Sequence, residues 1–183
     1  MRVSLLAAIS ALFLGFTGAY IYTRVQSGFE PINLPPLFII NTFILISTSL
    51  VLNSAMKCYK NDKTQAYQWH LMITLLLTLV FLVSQLFAWK HLYDQGIMLG
   101  NDNMTSYLYV ISGIHFAHVI AGIPFLGIFL WHSVKHMKEP VSVLIYFSDP
   151  DKKRKLKLLS LYWHYLDILW IYLVVFFLIN SII

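Results

Sequence analysis

The sequence predicts an all-α integral membrane protein, a bundle of five transmembrane helices. Of its 183 residues, 58% are hydrophobic and only 11% are charged, and the mean hydropathy is +0.70. Globular domains carry about 25% charged residues, so a soluble fold of this composition would expose large apolar patches. Five stretches are long enough to supply the roughly 20 apolar residues with which a helix crosses a bilayer. No alternating pattern of about ten residues, typical of porin strands, is present.

The five predicted spans are separated by segments with breaker or polar residues. The spans cover residues 3–22, 37–56, 69–89, 107–131 and 158–181. The connections are "SGFEPINLPP", "KCYKNDKTQ", "DQGIMLGNDN" and a long basic stretch, "KHMKEP…SDPDKKRKLK". Because no repeat or soluble domain is visible, residues 1–183 are predicted to form a single transmembrane domain. The apolar run at the start exceeds the 7–15 residues of a secretory signal, which favours an uncleaved first span.

The distribution of lysine and arginine predicts the orientation. With the N-terminus inside, the inner segments hold eleven of these residues and the outer segments hold two. Cytoplasmic loops carry the excess of Lys and Arg in membrane proteins. We therefore expect a multi-pass protein of the cytoplasmic membrane, with its N-terminus inside and its C-terminus outside. The net charge of +5 is then a feature of topology and not of nucleic-acid binding.

Two histidines in "SGIHFAHVIAG", His115 and His118, share one face of the fourth span and raise the question of a metal or haem site. A bis-histidine haem needs two histidines at one depth on facing helices. At about 1.5 Å per residue, His118 lies near the midplane, His115 about 5 Å outward and His164 about 9 Å inward, so the depths match poorly. A di-metal carboxylate site needs Glu-x-x-His pairs, but the two glutamates, Glu30 and Glu139, lie in connections. A quinone site, with one His and one Asp bracketing a carbonyl, stays open.

The pattern favours histidines that hydrogen-bond between helices, as buried polar side chains in membrane bundles do. Asp167 is the one carboxylate well inside a predicted span, and an ionisable group there needs a partner. We expect that partner to be His118, with His164 one turn away on the face of Asp167. Since no continuous acidic chain crosses the membrane, we interpret these residues as a structural clasp in preference to a proton relay.

Small residues also predict where helices approach closely. Gly15 with Ala19, and Gly113 with Ala117, have the small-x-x-x-small spacing of membrane helix contacts.

Four stretches together resemble subunit III of the haem–copper oxidases, in its five-helix form. "NTFILISTSLVLNSAMK" (41–57) is similar to the family's Asn-Thr, Ser-rich helix, and "ITLLLTLVFLVSQLFAW" (73–89) to the helix that follows it. "YLYVISGIHFAHVIAGI" (107–123) resembles its Gly-x-His-x-x-His-Val segment. "LYWHYLDILWIYLVVFFL" (161–178) resembles its Tyr-Trp-His-Phe-x-Asp-x-x-Trp stretch.

The resemblance implies a non-catalytic subunit of a respiratory terminal oxidase, which stabilises the catalytic subunit and supports proton uptake and lipid binding during aerobic electron transport to oxygen. It implies no catalytic, cofactor-binding or metal-binding residue in this chain. Haem and copper would lie in partner subunits, a haem–copper subunit I and a subunit II, and phospholipid would be a further partner. A set of internal polar and aromatic residues, here called the polar frame, would be structural: Gln85, His115, His118, Trp163, His164, Asp167 and Trp170.

The chain departs from the family pattern at its start. The longer form has two more N-terminal helices, and the first shared helix usually carries a Ser-Glu pair where this chain has Ala8 and Ile9. Two alternative functions stay open. One is an accessory protein of a nitric oxide reductase, from a related branch of the family. The other is a stand-alone membrane enzyme or haem-b carrier that uses His115, His118 and His164.

Overall fold

The computed structural model describes residues 2–27, 35–100, 103–137 and 140–182, and this part of the chain forms six α-helices. They are α1 (Arg2–Ser27), α2 (Pro36–Lys60), α3 (Thr64–Asp94), α4 (Asn103–His136), α5 (Pro140–Ser148) and α6 (Pro150–Ile182). Five of the six, all but α5, contain a stretch long and apolar enough to cross a membrane. The predicted class, an all-α membrane bundle with five spans, is confirmed, and its orientation stays a prediction.

Each of the five spanning helices extends beyond its predicted span at both ends. α3, for example, has 31 residues, about 46 Å of helix against a hydrocarbon core of about 30 Å. Hydropathy marks only the apolar part of a helix, whereas its ends depend on backbone signals. α2 begins immediately after Pro35, and α3 ends shortly before Gly96, which adopts a positive φ of 78°.

The long basic connection before the last span contains helical structure that the sequence analysis missed. α5 has nine residues, and α6 begins at Pro150, about eight residues before the predicted span. Asp149 precedes α6, and its Oδ1 accepts a 2.9 Å hydrogen bond from the backbone N–H of Asp151. A carboxylate at this position satisfies a free N–H of the first turn. The run "VLIYF" in α5 is too short for a span, so hydropathy alone does not identify it.

α2 and α3 form a helical hairpin, and α6 packs against α2 and α4, while α3 also contacts α4. α1 packs on α4 and is tied to α6 by side-chain hydrogen bonds at intervals of about seven residues. These pairs are Ser10 with Tyr165 at 2.6 Å, Thr17 with Tyr172 at 2.9 Å, and Arg24 with Asn180 at 2.8 Å. Because the residue numbers of the pairs rise together along both helices, α1 and α6 run parallel.

The close helix contacts predicted at Gly15 and Gly113 are wrong. A Cβ atom added at either position meets nothing within 4 Å in the part of the chain that the structure describes. The close approach lies instead at Gly122, where an added Cβ would be 2.6 Å from Cζ3 of Trp163. α4 and α6 therefore meet through a glycine–indole contact.

Candidate functional site

The indole of Trp170 lies where α2, α3, α4 and α6 meet. Its side chain is 1% exposed. The ring stacks on Phe38 with centroids 5.6 Å apart and meets the edge of Phe81 at 5.2 Å. Its Nε1–H donates a 3.2 Å hydrogen bond to Thr42 Oγ1. One side chain of α6 thus fixes the relative positions of α2 and α3 by both ring packing and a directional bond.

His115 joins α4 to the backbone of α6. It is fully buried, and its Nε2 lies 3.1 Å from the carbonyl oxygen of Leu166. Because a carbonyl only accepts, Nε2 is the protonated nitrogen. The ring lies 4.9 Å from Trp170 and 5.9 Å from Phe81, and Nδ1 has no hydrogen-bond partner among the described residues. His115 therefore acts as a cross-link between helices, with its second nitrogen against aromatic rings.

His118 has a different environment from His115 although only three residues separate them. It is half-buried, and its Nδ1 is 2.7 Å from the carbonyl oxygen of Ile114 in its own helix. The nearest described ring is Phe13 of α1, at 6.4 Å. The backbone carbonyl of His118, rather than its ring, joins α6 by accepting a 2.8 Å hydrogen bond from Tyr162.

Asp167 lies against Ser49 of α2, not against His118 as the sequence analysis expected. The carboxylic side chain is 4% exposed, and the Ser49 side chain lies close to it. Ser49 Oγ also hydrogen-bonds Nδ1 of His164. Ser49, His164 and Asp167, here called the inner clasp, therefore join α2 to α6. Oδ2 of Asp167 has no partner in the described part of the chain.

Gln85 makes a second polar link, between α3 and α2. Its Oε1 accepts a 2.8 Å hydrogen bond from Asn41 Nδ2, and both side chains are fully buried. Gln85 belongs to the predicted polar frame and Asn41 does not, although an amide is the natural partner of a buried amide, which has both donor and acceptor groups.

The seven residues of the polar frame do not form one centre. Five of them are buried, and His118 and His164 are half-buried. Six of them divide into the cluster around Trp170 and His115, the inner clasp, the Asn41–Gln85 pair and the Trp163 contact with Gly122. The seventh, His118, lies apart, with its ring bonded to a carbonyl of its own helix. Within the described residues, no three His, Cys, Asp or Glu side chains lie close enough to hold a metal ion. Glu30 and Glu139 lie outside the described residues.

The chain matches known proteins over most of its length. The family model for "Cytochrome c oxidase subunit III" matches residues 22–181. The cytochrome c oxidase subunit 3 of Synechocystis sp. is 32% identical over 178 residues, which are 93% of this chain and 70% of the relative. Probable quinol oxidase subunits 3 of Staphylococcus saprophyticus and Staphylococcus aureus are 29% and 28% identical, and each match covers 75% of this chain.

The chain spans 64% of the length of the two staphylococcal relatives. Three of the four stretches on which the resemblance rests lie in α2, α3 and α4, the fourth lies in α6, and all four lie within the matched residues. The length of this match and the identity to the Synechocystis relative show that the chain belongs to the cytochrome c oxidase subunit III family.

Proposed function

We propose that this chain is a non-catalytic subunit of a haem–copper terminal oxidase, which holds the catalytic subunit in its working conformation. The observation that carries the proposal is that the buried polar side chains form hydrogen bonds between helices. His115 bonds a backbone carbonyl, Gln85 bonds Asn41, and Ser49 bonds His164. Each of these groups joins two helices of the bundle, which is what a rigid scaffold requires.

The proposal includes partners. A haem–copper subunit I and a copper-bearing subunit II would contain the redox centres, and electron transfer to oxygen would take place there. Proton uptake and lipid binding are the supporting roles that we propose for this chain, in the cytoplasmic membrane with the N-terminus inside. Relatives named for both cytochrome c and quinol oxidases support either electron donor.

The test is recovery of the complex from native membranes. We expect the tagged chain, extracted in mild detergent, to bring down a haem–copper oxidase core with a copper-bearing subunit, identified by mass spectrometry and a reduced-minus-oxidised spectrum. A haem-b reductase with non-haem iron would overturn the oxidase proposal in favour of the nitric oxide branch. Recovery of the chain alone, with a haem spectrum of its own, would instead support a haem carrier.

Asp167→Asn is expected to reduce the yield of the assembled complex or shorten its lifetime during turnover. The reason is that the carboxylic group is buried and its Oδ2 has no partner among the described residues, so asparagine would place an NH2 donor where nothing accepts from it. A buried donor without a partner costs about 1–3 kcal/mol. Haem content per catalytic subunit should not change. The measurements are the activity half-life under continuous turnover and the pyridine haemochrome spectrum.

The same substitution at Asp94, an exposed carboxylate at the end of α3, is the matched control and should leave yield and lifetime as in the wild type. Loss of haem from a complex that still contains the full amount of this chain would contradict the structural role. Wild-type yield and lifetime in Asp167→Asn would show that the inner clasp does not depend on the carboxylic group.

A further inference from the structure

We propose that α5 and the first two turns of α6 form a binding surface for the anionic headgroups of phospholipids in the membrane that the chain spans. This surface, here called the basic collar, consists of Leu144 and Ile145 of α5 together with Lys153, Arg154, Lys155 and Lys157 of α6. It locates the lipid-binding part of the proposed function. Its test needs no partner subunit, so its failure is distinct from failure of the oxidase proposal.

The length of α6 places its basic residues at the depth of the headgroups. The helix has 33 residues, about 50 Å, of which about 30 Å can lie within the hydrocarbon core. Its apolar part begins at Leu158. Residues 150–157 therefore extend about 12 Å beyond the core, where phosphate groups lie, and the four cationic side chains of the collar are all exposed.

The four cations cover the sides of the helix that face away from the bundle, against which Leu156 is buried, and are not confined to one narrow stripe. Successive helical residues are turned by about 100°, so Lys153, Arg154 and Lys155 point in three different directions. A docked protein surface would contact one side only, whereas a headgroup layer surrounds a helix that emerges through it. This arrangement favours lipid over an acidic protein partner.

α5 presents apolar side chains beside these charges. Leu144 is 67% exposed and Ile145 is 63% exposed. The next two residues, Tyr146 and Phe147, are buried against Tyr59, which donates a 3.1 Å hydrogen bond to the carbonyl oxygen of Tyr146. α5 is thus held in place by one face while its opposite face is apolar and uncovered. A short helix with an apolar face and adjacent cations is typical of the membrane interface.

Two cation–aromatic contacts also place these basic residues at the depth of the lipid headgroups. Lys152 Nζ lies 4.3 Å from the ring centroid of Tyr146, and Lys135 Nζ lies 4.6 Å from that of Trp131. Tyr and Trp are enriched at the boundary between hydrocarbon and headgroups. Two carboxylates lie nearby. Asp149 is engaged by the N–H of Asp151 and by Lys152, at 3.7 Å, and Asp151 is exposed. Residues 149–157 still keep a net charge of +3.

The experiment measures lipid retention by the full chain in detergent micelles. Phosphatidylglycerol or phosphatidylcholine with the same acyl chains is added, and bound lipid is counted by native mass spectrometry. We expect phosphatidylglycerol to bind about tenfold more tightly than phosphatidylcholine, since basic residues near a membrane attract anionic lipid. The preference should disappear in about 1 M salt, where charges are screened within about 3 Å.

The variant K153Q/R154Q/K155Q/K157Q should lose the preference. The control, K57Q/K60Q/K63Q, neutralises three exposed lysines, two in the last turn of α2 and one in the turn before α3. They lie close to α5 because Tyr59 contacts Tyr146, and this variant should keep the preference. Equal retention of the two lipids by the wild type, or an unchanged preference in the quadruple variant, would overturn the proposal. A quadruple variant that binds lipid normally but recovers less of a partner subunit would identify the collar as a protein interface and overturn it as well.

A second measurement tests the apolar part of the collar. A spin label is attached at Ile145→Cys in a Cys58→Ser background, and the chain is placed in bilayers. We expect the label to be more accessible to oxygen than to a water-soluble nickel complex. A label at Asp62→Cys, in the exposed turn after α2, should show the opposite accessibility. A label at position 145 with the accessibility of a water-exposed site would contradict the interfacial position of α5.

Discussion

Replacing Trp170 with alanine is expected to lower the free energy of unfolding of the bundle by about 3–5 kcal/mol, the usual cost of removing a large buried aromatic side chain. The ring is 1% exposed and contacts Phe38, Phe81 and His115, which belong to three other helices. Its removal would leave a cavity where four helices meet and would free the Thr42 hydroxyl that its Nε1–H now contacts. Unfolding of the chain in mixed micelles, followed by circular dichroism as the denaturing detergent increases, measures the loss.

Two variants separate packing from the hydrogen bond. Trp170→Phe keeps an aromatic ring but loses the bond to Thr42, so we expect a smaller loss than with alanine. Trp69→Ala removes a tryptophan that is 59% exposed and should have little effect. If Trp170→Ala were no more destabilising than Trp69→Ala, the cluster around Trp170 would not be the main contact between these helices.

Hydropathy predicted the five spans because each span depends only on the composition of its own stretch of sequence. A helix that crosses a bilayer needs a run of apolar residues, and such a run is visible without knowledge of the rest of the fold. α5 was missed because its nine residues are held by packing against Tyr59 of α2. Its stability comes from contacts that are distant in sequence, which hydropathy does not record.

The sequence indicated most residues of the polar frame but not their partners. A polar or aromatic residue inside an apolar span is conspicuous, as Asp167 and Gln85 are. Its partner depends on how each helix is rotated, and a helix that is apolar on all sides hides its inward face. α2 has three consecutive hydroxyl residues, Ser47, Thr48 and Ser49, which point in three directions. Only the packing of α2 on α6 decides that Ser49 contacts Asp167.

Adding one methyl group at Gly122 tests the contact between α4 and α6 directly. Gly122→Ala is expected to destabilise the bundle by about 1–3 kcal/mol, the usual cost of adding atoms to a well-packed core. The new Cβ would lie 2.6 and 2.9 Å from two carbons of Trp163 and 3.1 Å from Tyr162. The indole of Trp163 is rigid and 2% exposed, so the two helices have to move apart. The change is measured as the midpoint of thermal unfolding in micelles.

Gly127→Ala, one and a half turns further along α4, is the matched control because a Cβ there meets nothing within 4 Å. Alanine is favoured over glycine in a helix by about 1 kcal/mol, so this variant should be as stable as the wild type or more so. The two substitutions add the same atom to the same helix, and their opposite signs would isolate the contact with Trp163. In a double-mutant cycle, Gly122→Ala should cost less in the Trp163→Leu background than in the wild type, because leucine is smaller and more flexible than the indole. Equal stability of Gly122→Ala and Gly127→Ala would contradict close packing of α4 on α6.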